Sequence, residues 1–164
     1  LSGCTIVAYR YGHLGVPLSD GYMTKILTGG IMGTLMWYNV WFVIWPAQQV
    51  VIANAEQVAA GGEPIPEAAA RGGKAGMASR TNTLFSIPML FFMISAANLP
   101  GFLSGTNDLT YWLIAGVIIA AVEVNGLIGP GAATQKPLTT VSGTIHGGLA
   151  LWLVLYVVGS LVNS

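Results

Sequence analysis

Charge is what this sequence most lacks. Of its 164 residues only 7% are Asp, Glu, Lys or Arg, while 54% are hydrophobic, and the mean hydropathy is +0.68. Soluble domains carry about 25% charged residues, so the composition excludes that class. Six basic and six acidic residues give a formal net charge of zero, which leaves no basic footprint for nucleic acid. A single cysteine, Cys4, excludes an internal disulfide, and neither a CxxCH haem attachment nor a zinc spacing is present. The opening Leu-Ser-Gly-Cys is similar to a lipoprotein cleavage box. Cleavage would leave the cysteine first, so Cys4 reads as an ordinary thiol in a tail.

Histidine is nearly absent as well, with two residues. A haem held by two histidines needs both inside the membrane domain, and only His146 falls in an apolar run; His13 sits in the N-terminal tail. Met32, Met36, Met89 and Met93 offer a second ligand for a His–Met site, but methionines at helical spacing are usually packing residues. No cofactor, haem b included, and no metal is expected in this chain alone.

What the sequence does have is long uncharged runs. None of the residues between Lys25 and Glu56 is charged. Crossing a bilayer takes about 20 residues at 1.5 Å of rise each, so this run spans and continues as an interfacial helix. The pattern predicts an all-α integral membrane protein with four transmembrane helices, at about 26–48, 83–100, 109–128 and 140–162, in an up-down bundle. Residues 1–25 form an external tail, and residues 56–82 a longer cytoplasmic loop with a turn near Gly61 and Gly62 and a short surface helix around 67–71. Arg71, Lys74, Arg80 and Lys136 fall on one side and only Arg10 and Lys25 on the other, which places both termini outside. Pro46 is expected to bend the first helix and Pro88 to kink the second. Short links at 101–108 and 129–137 make successive helices antiparallel.

Polar residues inside these runs are the candidate site. Glu123 is the one carboxylate in a span, where it costs about 2.5–3.5 kcal/mol near the helix centre. His146 lies at the matching depth of the next helix, so the two are expected to pair, each offsetting part of the other's burial. Asn39, Gln48, Gln49, Arg80, Asn82 and Asn125 fall at the same end. Arg80, Asn82, Glu123 and His146 are the catalytic candidates, and Asn39, Trp45, Gln48, Gln49 and Asn125 the ligand-binding ones. Trp37, Trp41 and Trp45 recur every four residues as a helix stripe suited to an interfacial belt. Gly29 and Gly33, and Gly143 and Gly147, form two GxxxG faces. They serve either packing within the chain or docking to another membrane subunit.

Two stretches carry a family resemblance. "NVWFVIWPAQQVVI" at residues 39–52 and "SRTNTLFSIPMLFFMIS" at residues 79–95 are separated by a Gly-Gly and Pro-containing loop. The stretch from 39 to 100 resembles the membrane domain of bacterial membrane-bound urate oxidases, the urate oxidase N-terminal domain family. That resemblance implies a helical membrane domain in the bacterial inner membrane. It also implies oxidation of urate to 5-hydroxyisourate, with electrons passed to a C-terminal c-type cytochrome. It carries site residues onto Asn39, Trp45, Pro46, Gln48, Arg80 and Asn82. The chain departs from the family pattern where a histidine follows the arginine, which is Thr81 here, and at Gln49 and Val50, where basic residues are common. It also has fewer spans and no CxxCH.

The expected function is therefore an accessory transmembrane subunit of a larger bacterial redox complex. Its partners would be the lipid bilayer, other integral membrane subunits and a c-type cytochrome. The alternative is a membrane urate oxidase domain that delivers electrons to a separate cytochrome c. A third reading is a proton or small-solute conduit using Glu123 and His146.

Overall fold

The computed structural model describes residues 2–103, 108–128 and 130–162. The described elements are helical. They are α1 (Ser2–Gly12), α2 (Gly21–Tyr38), a π-helical segment (Asn39–Ile44), α3 (Trp45–Ala59), α4 (Ala68–Asn98), α5 (Asp108–Leu127), a 3₁₀ segment (Ala133–Thr139) and α6 (Val141–Val162). Among the described residues, three helices are long and apolar enough to cross a membrane: Gly21–Ala59, Leu109–Leu127 and Val141–Val162. The sequence pattern predicts four. The missing one is α4, whose apolar stretch begins only at Leu84, after Lys74 and Arg80 have been wound into the same helix.

Each difference from the expected boundaries has a local cause. Residues 68–82, read as loop, are the first turns of α4, and the expected surface helix at 67–71 is its start. Ala68, Ala69, Ala70, Arg71, Lys74, Ala75 and Met77 are all strong helix formers, and they offset part of the cost of Gly72, Gly73 and Gly76 between them. The tail is also not a tail throughout. Residues 2–12 are helical, and α2 already begins at Gly21, where the Asp20 side chain accepts from the Tyr22 N–H. Lys25, expected at the tail boundary, is 1% exposed and donates from Nζ to the Leu99 carbonyl at 2.6 Å. The last carbonyls of a helix lack partners within it, so Lys25 caps the end of α4.

Pro46 acts as expected, and its effect is specific. It has no N–H to return to Phe42, and its ring would collide with that carbonyl. The preceding turn widens instead, with the Trp45 N–H reaching the Val40 carbonyl five residues back. The chain thus stays helical from Gly21 to Ala59. The wide turn leaves Trp37, Trp41 and Trp45 all exposed. Pro88 lies buried inside α4 without ending it.

α4 is the hub. It runs antiparallel to α2, with Lys25 beside Leu99 and Gly29 beside Met93, and antiparallel to α5, with Thr81 beside Gly126. It is parallel to α6, where Leu84 meets Gly147 and Phe91 meets Trp152. Residues 104–107 and 129, in the two predicted short links, lie outside the described residues. The core between these helices is built from Met32, Phe85, Phe92, Tyr111, Ile119 and Leu155. Next to it, Phe91, Phe102, Trp152 and Tyr156 form an aromatic cluster with Phe102 stacked on Tyr156 at 4.8 Å.

The GxxxG faces are used within the chain. A Cβ on Gly29 would come within 2.7 Å of Met93 Cγ and 3.1 Å of the Met89 carbonyl oxygen, and one on Gly33 within 3.4 Å of Met89 Sδ. Gly147 faces Leu84, while Gly143 closes on the Pro137 carbonyl just before α6. Each of these four glycines thus has a neighbour within the chain, the packing use of the two alternatives. α6 also approaches α4 closely at Gly148, where an added Cβ would sit 2.8 Å from the Leu84 carbonyl oxygen. Backbone cannot swing aside as a side chain can, so Gly148→Ala is expected to cost about 2 kcal/mol, measured as a lower midpoint in a denaturing-detergent titration.

Candidate functional site

The site is assembled from three helices around Asn39, which is fully buried where α2 passes into the π-helical turn. Its amide nitrogen Nδ2 donates to Asn82 Oδ1 on α4 at 2.9 Å and to Glu123 Oε2 on α5 at 3.1 Å. Asn82 in turn donates from Nδ2 to the Met36 carbonyl at 3.1 Å. Glu123 is 6% exposed. Two oxygens of this cluster, Asn39 Oδ1 and Glu123 Oε1, are buried without a hydrogen-bond partner. Buried polar atoms nearly always find partners, so this pair of orphaned acceptors distinguishes the cluster from ordinary helix packing.

A second polar network closes the α5–α6 connection. Gln135, buried on the 3₁₀ segment, donates to the Asn125 carbonyl at 2.6 Å and accepts from the backbone N–H of Gly131 and Ala132. The Thr134 hydroxyl bonds to the Asn125 side chain. Arg80 donates from Nη1 to the Leu138 carbonyl at 2.6 Å, so it ties α4 to this segment. A third link joins Thr28 on α2 to Tyr111 on α5, hydroxyl to hydroxyl, at 3.2 Å.

The structure thus brings together Asn39, Asn82 and Glu123 from the sequence-predicted set and separates the rest. Arg80 and Asn125 belong to the α5–α6 connection. Gln48, Gln49 and Trp45 are exposed on α3. His146 is exposed on α6, where its Nδ1 lies 2.7 Å from the Ser142 carbonyl oxygen. The predicted Glu123–His146 pair does not form, because matching depth does not fix azimuth. Glu123 turns toward Asn39 at the end of α2, and His146 turns outward. Sequence reading missed Gln135, Thr28 and Tyr111. For Gln135 the signal was present, a polar residue in a short link rich in glycine and proline; for the hydroxyl pair it was not.

These features define a helical protein whose long apolar helices are joined by buried polar contacts. The chain belongs to the family described as urate oxidase N-terminal, which it matches over residues 4–157. The match extends well beyond the 39–100 stretch that carries the resemblance in the sequence, and it takes in α5 and most of α6. No curated protein and no solved structure matches the chain.

Proposed function

We propose that this chain is a bacterial inner-membrane subunit of a larger redox assembly, a relative of the urate oxidases in which the motif residues hold the helices together. In this reading α4 crosses the membrane as a fourth span, packed between more apolar neighbours. One observation carries it: Asn39, Arg80 and Asn82, three of the polar side chains of the two family motifs, each make helix-joining bonds within the chain. Three fairly apolar helices with many outward-facing large side chains support the membrane setting.

Gentle detergent extraction from native membranes, followed by mass spectrometry and a reduced-minus-oxidised spectrum, tests this. Copurification with larger subunits that own the chromophores is the expected result; a stable, solitary monomer overturns it. A second reading is favoured by the extent of the family match. In it the chain is a urate-oxidising domain that delivers electrons to a separate cytochrome c. Urate-dependent reduction of cytochrome c by membranes carrying the chain, lost in Asn82→Leu, is the result that reading requires. Its absence in the presence of a competent cytochrome ends it.

A further inference from the structure

We infer that the cleft between α2 and α5 binds a lipid-soluble molecule carrying a ring hydroxyl, of the quinol type, whose hydroxyl donates to Glu123. The inference rests on the membrane setting proposed above. The cleft measures about 300 Å³ and is walled by Ile31, Leu35, Trp112, Gly116 and Ile119, with Glu123 at the end nearest Asn39. It opens on the flank of the protein, between the apolar portions of two helices long enough to span a membrane. A molecule reaches it from hydrocarbon, not from water.

The lining selects the chemistry of the occupant. Among the described residues of the wall Glu123 is the one charged side chain, Trp112 adds an indole N–H, and there is no basic residue, so an anionic ligand has no counter-charge there. Asn39 already satisfies Oε2, whereas Oε1 is buried and lacks a donor. A hydroxyl is the neutral group that supplies one, and it arrives without bringing a second charge into an apolar site. Size narrows the choice further. A volume near the lower end of the roughly 300–1,000 Å³ range of ligand pockets holds one ring and the start of a tail. A partner helix, about 10–12 Å across with its side chains, does not fit.

Two further features keep the cleft open. Nothing lies within 4 Å of where a Gly116 Cβ would be, so the glycine forms an empty stretch of wall. The π-helical turn beginning at Asn39 holds the Glu123 partner in place from the opposite helix, and such turns recur at functional sites.

The test uses the full chain in lipid nanodiscs, titrated with decylubiquinol and, separately, with decylubiquinone, and followed by tryptophan fluorescence quenching. Saturable quenching by the quinol is expected, with the quinone, which has no hydroxyl to donate, binding about tenfold more weakly. Gly116→Leu fills the cleft and has room to do so without disturbing the fold, so it is expected to weaken quinol binding at least tenfold. Glu123→Gln is expected to lose the preference for quinol over quinone. Gly30→Leu, which projects into open space in the groove between α1 and α2, is expected to bind like the parent chain. Quenching that rises linearly without saturation, or equal binding by the parent and Gly116→Leu, overturns the inference; so does quinone bound as tightly as quinol. A chain that inserts into the bilayer but shows no saturable binding refutes only the cleft. A chain that does not insert refutes the membrane setting and the cleft together.

Discussion

Asn39→Leu is expected to destabilise the protein by about 3 kcal/mol, the largest effect of any single truncation in the polar cluster. Asn39 is the donor that reaches Glu123, and removing one partner of a buried charged group costs more than the bond contributed while it existed. The same substitution takes the donor from Asn82 Oδ1. If this account is right, Asn39→Leu combined with Glu123→Leu recovers most of the loss, because replacing both partners with apolar groups of similar size is nearly neutral. Denaturing-detergent titration of the two single variants and the double variant gives the coupling directly. Additive losses would mean that the Asn39–Glu123 bond contributes nothing to stability.

Gly126→Ala is expected to be nearly as damaging, again by about 3 kcal/mol. An added Cβ at Gly126 would lie 2.2 Å from Thr81 Oγ1 and 3.0 Å from Thr81 Cβ. Thr81 is buried and bonded through its hydroxyl to the Met77 carbonyl at 3.0 Å, so it has little freedom to move away. Thr81→Gly in the same chain is expected to return part of the stability, since it deletes the three atoms nearest the new methyl. An unchanged unfolding midpoint for Gly126→Ala alone would show that α4 and α5 do not approach as closely as described.

That contact also bears on the family motif. The position after Arg80, a histidine in the pattern this chain resembles, is a threonine pressed against a glycine on the neighbouring helix. An imidazole has no room on this face unless α4 and α5 separate. Thr81 and Gly126 are thus fitted to each other, and the segment Ser79 to Asn82 serves the helix interface at this point. The same holds for Arg80, whose guanidinium bonds to the Leu138 carbonyl.

By itself the sequence determined the helical class and the apolar character of the chain, because both follow from composition and from the long uncharged runs. It determined the family as well, through two motifs whose residues are adjacent in the chain. It located Pro46 as the place where the first helix departs from regularity, since a missing N–H is a local property. Tertiary structure decided everything that depends on azimuth. Depth in a span can be counted from residues, but which way a side chain points depends on which neighbour a helix packs against. For that reason Glu123 and His146 match in depth and yet face apart, and Asn39, more than eighty positions before Glu123, is its partner instead. The start of α4 was hidden for a related reason. A charged, glycine-containing segment has the composition of a loop, and it stays helical here because α3 and the α5–α6 connection pack against it, with Gly72 under Val51 and Gly73 under Pro130.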